Sequence, residues 1–208
     1  MYLEPILTDR ILKGCMMYEY LTLLSVALRQ GGDVDDIANS LSITQYKSKK
    51  WLVDTLSKYQ IPPNPTILIL GGWYGSYLIP FLQDSIAPSH IHHNDLDSSI
   101  LKTAEIMHQR SNNITFHNFD VNTCIEKFRV DILINTSCEH MHSVGDHLID
   151  NPNCLYVLQT CDNQDDPGHI NISQNTDEFV EKTGLTSITF RGRLSLGHKN
   201  RFMVIGRK

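Results

Sequence analysis

The amino-acid sequence predicts an α/β protein: a doubly wound, mostly parallel sheet of seven strands, the last two antiparallel, behind an N-terminal helical extension. Three observations carry that expectation. The first sixty residues place apolar side chains at helical spacing. Thr66-Ile67-Leu68-Ile69-Leu70 is a continuous apolar run, as in a strand buried on both faces. After it, short apolar segments alternate with helical ones until a final pair that has no helix between its members.

The elements follow in order. Leu3, Ile6, Leu7, Ile11 and Leu12, then Met17, Leu21, Leu24 and Leu28, recur at helical spacing, and Gly31-Gly32 stops that run. Asp33 suits the cap of a helix carrying Ile37 and Leu41, and Thr44 that of another with Leu52, Val53 and Leu56. Ile61-Pro62-Pro63-Asn64-Pro65 cannot continue a helix, so the chain divides into an extension, 1–61, and a sheet domain, 62–208. Strands are expected at 66–70, 91–94, 114–118, 131–135, 155–160, 186–191 and 201–205. Helices are expected around Leu78, Ile79, Phe81 and Leu82, and at 98–109, 143–148 and 177–183. Only the turn at 196–200 separates the last two strands, so they should pair antiparallel.

Composition narrows the function classes. Eighteen Lys+Arg against 23 Asp+Glu give a net charge of −5, which argues against a dedicated binder of duplex nucleic acid. With 41% hydrophobic and 20% charged residues the chain can bury a core. It has no apolar run of membrane-spanning length and no signal-peptide pattern at Met1-Tyr2-Leu3-Glu4-Pro5. The five cysteines (Cys15, Cys124, Cys138, Cys154, Cys161) form no CxxC and cannot all pair, as in a reduced, cytoplasmic protein.

An open parallel sheet binds ligands at the carboxyl ends of its strands. Residues able to bind stand at four such ends. Gly71-Gly72-Trp73-Tyr74-Gly75 allow a tight turn and close approach to backbone N–H groups at a helix start. Asp95-Leu96-Asp97 follow the second strand, where a carboxylate can accept from ribose hydroxyls. Asp120-Val121 follow the third strand, and Asn135 ends the fourth.

With those residues in place, 66–208 resembles the class I S-adenosylmethionine-dependent methyltransferases, whose sheet is Rossmann-like. Ile67 to Gly75 resemble the glycine-rich first motif, Asn94 to Leu101 the ribose-binding strand end, and Phe119-Asp120-Val121 the adenine-binding position. Val130 to Asn135 resemble the fourth strand, and Gly168-His169-Ile170-Asn171 with Asp177 to Leu185 the family's tail. The resemblance implies S-adenosyl-L-methionine as cofactor. Gly71, Gly72 and Gly75, with Trp73 and Tyr74 in the same turn, would line its methionine and ribose. Asp95, with Leu96, would hold the ribose hydroxyls, Asp120 and Val121 the adenine, and Asn135 would lie beside the methyl group. Two positions depart from the family: Ile69 where an acidic residue is common, and Trp73 where the middle glycine stands.

Asn135-Thr-Ser-Cys-Glu-His-Met141 is the segment that bears on the reaction. Methyl transfer is an in-line displacement at an activated carbon, so the enzyme chiefly positions the nucleophile and excludes water. Glu139 or His140 is the candidate base for an acceptor that must lose a proton; the plainer reading makes them helix caps or backbone partners. The segment lacks the Asn/Asp-Pro-Pro-aromatic pattern of base-amino methylases. Thr160-Cys161 lacks the Pro-Cys partner that RNA cytosine methylases use, so a buried structural thiol is expected. Neither Cys138, Glu139, His140, His142 and His147 nor His90, His92 and His93 has a recognised zinc spacing, and no metal is expected.

The extension is read as a lid, an acceptor contact or a homodimer contact, with Tyr46 and Trp51 as lid candidates; core packing is the commoner fate of such a Trp. Lys47, Lys49 and Lys50 on a helix-turn-helix-like stretch are too few to indicate DNA. The acceptor, a small molecule by preference, would enter between the extension, the segment after Asn135 and the polar loop 162–175. Two alternatives stand beside methyl transfer. One is an aminopropyltransferase, which Ile67-Leu-Ile-Leu-Gly-Gly also resembles, although no acidic residue follows Asn135 until Glu139. The other is a non-catalytic binding module acting through its leader.

Overall fold

The structure is a computed structural model that describes residues 22–121, 127–149 and 151–208. The stripe from Leu3 to Leu21, Cys15 and Cys124 lie outside the described residues.

Among the described residues three helices come first: α1 at 22–29, α2 at Val34–Ser40 and α3 at Ile43–Leu56. Gly31, at φ +95°, turns the chain out of α1. The Asp33 carboxylate caps α2 by accepting from Asp36 N at 2.9 Å. Ser42, not Thr44, occupies the N-cap of α3. The Thr44 hydroxyl lies 3.1 Å from that of Ser42, inside the first turn.

The remaining elements alternate as the hydrophobic pattern requires: β1 Thr66–Leu70, α4 Leu78–Ser85, β2 His90–Asp95, α5 Ser98–Met107, β3 Ile114–Asn118, β4 Ile132–Asn135 and β5 Leu155–Cys161. Then come α6 Thr176–Thr183, β6 Ser187–Ser195 and β7 Asn200–Arg207. The stretch 143–148, expected as a helix, is a single 3-10 turn at Gly145–His147. So short a segment lacks the residues to propagate an α-helix.

The seven strands form one sheet in the order β3-β2-β1-β4-β5-β7-β6. β1 to β5 pair in parallel, and β7 inserts antiparallel between β5 and β6. Successive side chains of a strand point to opposite faces, so the apolar run of β1 feeds two cores. Leu68 and Leu70, with Leu133, Tyr156 and Leu158, pack with Phe179 of α6. Ile67 and Ile69, with Ile132, Ile134 and Val157, pack with Leu52, Val53 and Leu56 of α3 and Leu78, Ile79 and Leu82 of α4. Burying each such side chain fully contributes about 1.5–3 kcal/mol. Strand order reverses between β1 and β4, and a crevice opens there beyond their carboxyl ends.

Candidate functional site

A cavity of about 1040 Å³ occupies that crevice. Its floor is the turn after β1. Gly71 and Gly75 have φ of +54° and +65°, the left-handed region that glycine adopts freely. A Cβ on Gly72 would run into the imidazole of His93. That glycine is therefore demanded by a buried side chain as well as by any ligand above it.

Trp73 is also left-handed, at φ +53°, which costs a residue with a Cβ about 1–2 kcal/mol. Its backbone N–H donates to Asp95 Oδ2 at 2.8 Å, and its carbonyl accepts from His93 Nε2 at 2.8 Å. The indole N–H donates to Asp36 Oδ2 at 2.9 Å, and the Tyr74 hydroxyl donates to the same oxygen at 2.8 Å. Ser40 and Ser76 hydroxyls meet at 2.8 Å, and Tyr77 Oη donates to the Leu41 carbonyl at 2.9 Å. These contacts fasten α2 onto the glycine turn.

The strand ends are laced together around this floor. Asp95 Oδ1 accepts from Asp97 N at 3.1 Å, while burial pushes the Asp95 carboxyl up. Asp97 itself caps α5 through Ser99 N at 2.7 Å. Asn94 Nδ2 donates to the carbonyls of His117 and Phe119, fixing the approach to Asp120. Ser137 Oγ donates to the Gly71 carbonyl at 3.0 Å, tying the end of β4 to the turn after β1.

Of the ten positions expected at a cofactor, Gly71, Gly72, Trp73, Gly75, Asp95, Leu96, Asp120 and Val121 line the cavity. Tyr74 and Asn135 do not: the Tyr74 ring turns into the small core with Ala27, Ile37 and Met107. Asn135 is buried, accepting from Ser137 N at 2.9 Å and donating to Met141 Sδ. It shapes the segment that follows.

Glu139 and His140 line the opposite wall. Glu139 is buried and ion-paired with Arg201 at the start of β7, whose other guanidinium nitrogen donates to the Thr136 carbonyl at 2.8 Å. Burial pushes the Glu139 carboxyl up, but the Arg201 charge and hydrogen bond outweigh it and hold it below the usual range. A carboxylate so held is a poor base near neutrality. His140 Nδ1 donates to the Gly168 carbonyl at 3.0 Å. Burial pushes the thiols of Cys138 and Cys161 up, as suits structural rather than nucleophilic cysteines.

Three residues on this wall are ones that the sequence does not assign to the site: Lys49, His169 and Arg201. Lys49 reaches the cavity from α3, and burial, then the Arg201 charge, brings its amine down to about 7. An amine so depressed can accept a proton at neutral pH. Tyr46 and Trp51, the lid candidates, face elsewhere. Tyr46 packs edge-on against Tyr77 and Phe81, and Trp51 against Phe190. The cavity-facing residues of the extension are polar, among them Ser40, Ser42, Thr44, Gln45 and Ser48.

No family model matches the chain, and no curated protein matches it. Solved structures do. It is similar to a magnesium protoporphyrin IX methyltransferase from Synechocystis PCC 6803 with bound SAH, at 16% identity and a TM-score of 0.61, covering 84% of this chain and 89% of that one. It is similar to a SAM-dependent methyltransferase from Aquifex aeolicus, at 13% identity and a TM-score of 0.55, over 74% of this chain and 88% of that one. A putative sarcosine dimethylglycine methyltransferase from Galdieria sulphuraria aligns at 11% identity and a TM-score of 0.58, over 78% and 85%. The fold of the chain is that of the SAM-dependent class I methyltransferases.

Proposed function

We propose that the protein binds S-adenosyl-L-methionine in this cavity and transfers its sulfonium methyl to a small-molecule acceptor. The observation that carries the reading is the meeting of three strand ends on one wall. The glycine turn after β1, Asp95 after β2 and Asp120 after β3 line a single cavity at the strand-order reversal. Asp95 would accept from the ribose hydroxyls and Asp120 from the adenine amino group, with Leu96 and Val121 against the adenosine. A volume of about 1040 Å³ lies at the top of the range for drug-sized ligands, enough for a cofactor and an acceptor side by side.

The acceptor would enter against α2–α3 and the segment after Asn135, where Thr136, Lys49 and His140 present polar atoms. The catalytic task there is orientation and exclusion of water. Lys49, with its amine brought down to about 7, is a group able to take a proton from the acceptor; Oε1 of Glu139 is engaged by Arg201. Aminopropyl transfer has less support, because the solved structures similar to this chain are named as methyltransferases.

Calorimetric titration with S-adenosylmethionine and S-adenosylhomocysteine tests the reading. Binding of both is expected. Failure of the folded protein to bind either at about 1 mM would overturn it. Methyl-donor labelling of small-molecule, protein and RNA fractions then identifies the acceptor.

A further inference from the structure

Facing the cofactor wall, two loops that are separate in sequence meet in one cluster. Glu139 and His140 follow β4, and His169 comes from the loop after β5, thirty residues on. One ligand atom from each lies within 4.8 Å of the others, and all three residues line the cavity.

The surroundings fix these side chains in a particular state. His140 Nδ1 donates to the Gly168 carbonyl at 3.0 Å, and His169 Nδ1 to the Asn163 carbonyl at 2.7 Å. A carbonyl only accepts, so each Nδ1 carries a proton, and in the neutral imidazole it is Nε2 that presents the lone pair. Metal-binding histidines are oriented in the same way, through the ring nitrogen that does not bind the ion. Glu139 is 3% exposed; its Oε1 is taken by Arg201, while Oε2 is buried with no hydrogen-bond partner among the described residues. A buried carboxylate oxygen without a partner is costly unless something positive completes it.

The frame is rigid as well. The backbone N–H groups of Ile170 and Asn171 both donate to the Glu139 carbonyl at 2.9 Å. Asp166 Oδ1 accepts from Gly168 N, and its Oδ2 lies 3.6 Å from His169 Nε2, a further carboxylate at the edge of the cluster.

We propose that Glu139, His140 and His169 form a binding site for a first-row divalent cation, and that this cation takes a hydroxyl oxygen of the acceptor as a further ligand. Two imidazoles and one carboxylate suit zinc, cobalt or iron better than magnesium or calcium, which prefer oxygen ligands. Three protein ligands leave coordination positions open towards the cavity. The role in catalysis rests on the methyltransferase reading above; the site itself does not. A hydroxyl bound to the cation gives up its proton to water more readily. Its oxygen lone pair then forms the O–C bond to the methyl carbon as the C–S bond breaks, and that electron pair returns to sulfur as a thioether. The acceptor class is a hydroxyl-bearing small molecule.

The test uses full-length, untagged protein stripped with a chelator and titrated with Co²⁺, followed by visible absorption. One band per chain, displaced by Zn²⁺, is expected. His140→Ala and His169→Ala should each weaken Co²⁺ binding at least about tenfold, while His198→Ala, at an exposed turn, leaves it unchanged. Far-UV circular dichroism of each variant establishes that it is folded. Absence of a band from the folded wild type at about 1 mM Co²⁺, or wild-type affinity in the folded His140→Ala/His169→Ala protein, would overturn the site. Calorimetry with S-adenosylmethionine on the same samples separates the two ideas. Cofactor binding without Co²⁺ binding removes the metal site alone; Co²⁺ binding without cofactor binding removes the methyltransferase reading and leaves the metal site.

Discussion

The indole N–H of Trp73 donates to the carboxylate of Asp36 at 2.9 Å, joining the turn after the first strand to the second helix of the extension. The same carboxylate oxygen accepts from Tyr74, whose hydroxyl burial and Asp36 together push up and keep neutral. Trp73 thereby gains a tether for its unfavourable left-handed backbone. A glycine there would relax the turn and remove one of the contacts that fasten the helix to it.

Asp36→Ala should therefore act on both elements. It removes two hydrogen bonds to a charged acceptor, each worth about 1.5–3 kcal/mol when its partner is well buried. Both are only part-buried here, so a loss of about 1–3 kcal/mol in urea unfolding is expected. Affinity for S-adenosylmethionine should fall too, because the turn loses its anchor. Unchanged stability and unchanged affinity would show that the tether does nothing.

Asp95 and Asp97 are two residues apart and do different jobs. Asp95 lines the cavity; Asp97 caps α5. Asp95→Ala should weaken S-adenosylmethionine binding at least about tenfold by calorimetry, the value of one hydrogen bond to a charged group. Asp97→Ala should cost about 1 kcal/mol of stability and leave affinity nearly unchanged. If Asp95→Ala binds as tightly as wild type, the ribose assignment is wrong.

Arg201 and Glu139 form a buried pair, so removing one partner strands the other. Arg201→Met should destabilise the protein by about 3–5 kcal/mol, the cost of leaving a buried charge uncompensated. Adding Glu139→Gln to that variant should restore part of the loss. Denaturation of both single variants and the double variant closes the cycle. Additive effects would mean that the pair is not coupled.

The parts of this design that are local in sequence are the parts its sequence reveals. β1, β4 and β5 announce themselves because strands covered on both faces need uninterrupted apolar runs. Asp33 is legible as a cap because capping is decided within four residues. Asp95 and Asp120 are legible because topology brings strand ends together whatever else the chain does. Thr44 is misread because Ser42, two residues earlier, takes the cap position it was expected to fill. Arg201 and His169 escape detection for a deeper reason. They meet Glu139 across 62 and 30 positions of chain, and no spacing rule reaches that far. Lys49 reads in the sequence only as one of three lysines on a helix-turn-helix-like stretch, and it is packing that turns it towards the cavity.

His93 and His108 set a limit on acid stability. Both are buried; His93 Nε2 donates to the Trp73 carbonyl, and His108 Nε2 to the Tyr74 carbonyl at 2.9 Å. Burial brings each down to about 4, well below the ordinary histidine value near 6.5. The unfolded chain therefore binds protons between pH 6.5 and 4 that the folded chain refuses. Their contribution is complete above pH 6.5 and is lost as the pH falls towards 4, by up to about 3 kcal/mol for each histidine. The urea midpoint should drop steadily from pH 7 to pH 4.5. His108→Gln, which keeps a donor for the Tyr74 carbonyl and cannot titrate, should flatten that slope even where it lowers stability overall. A wild-type midpoint constant over the range, or an undiminished slope in His108→Gln, would mean that these histidines already carry their protons in the folded state.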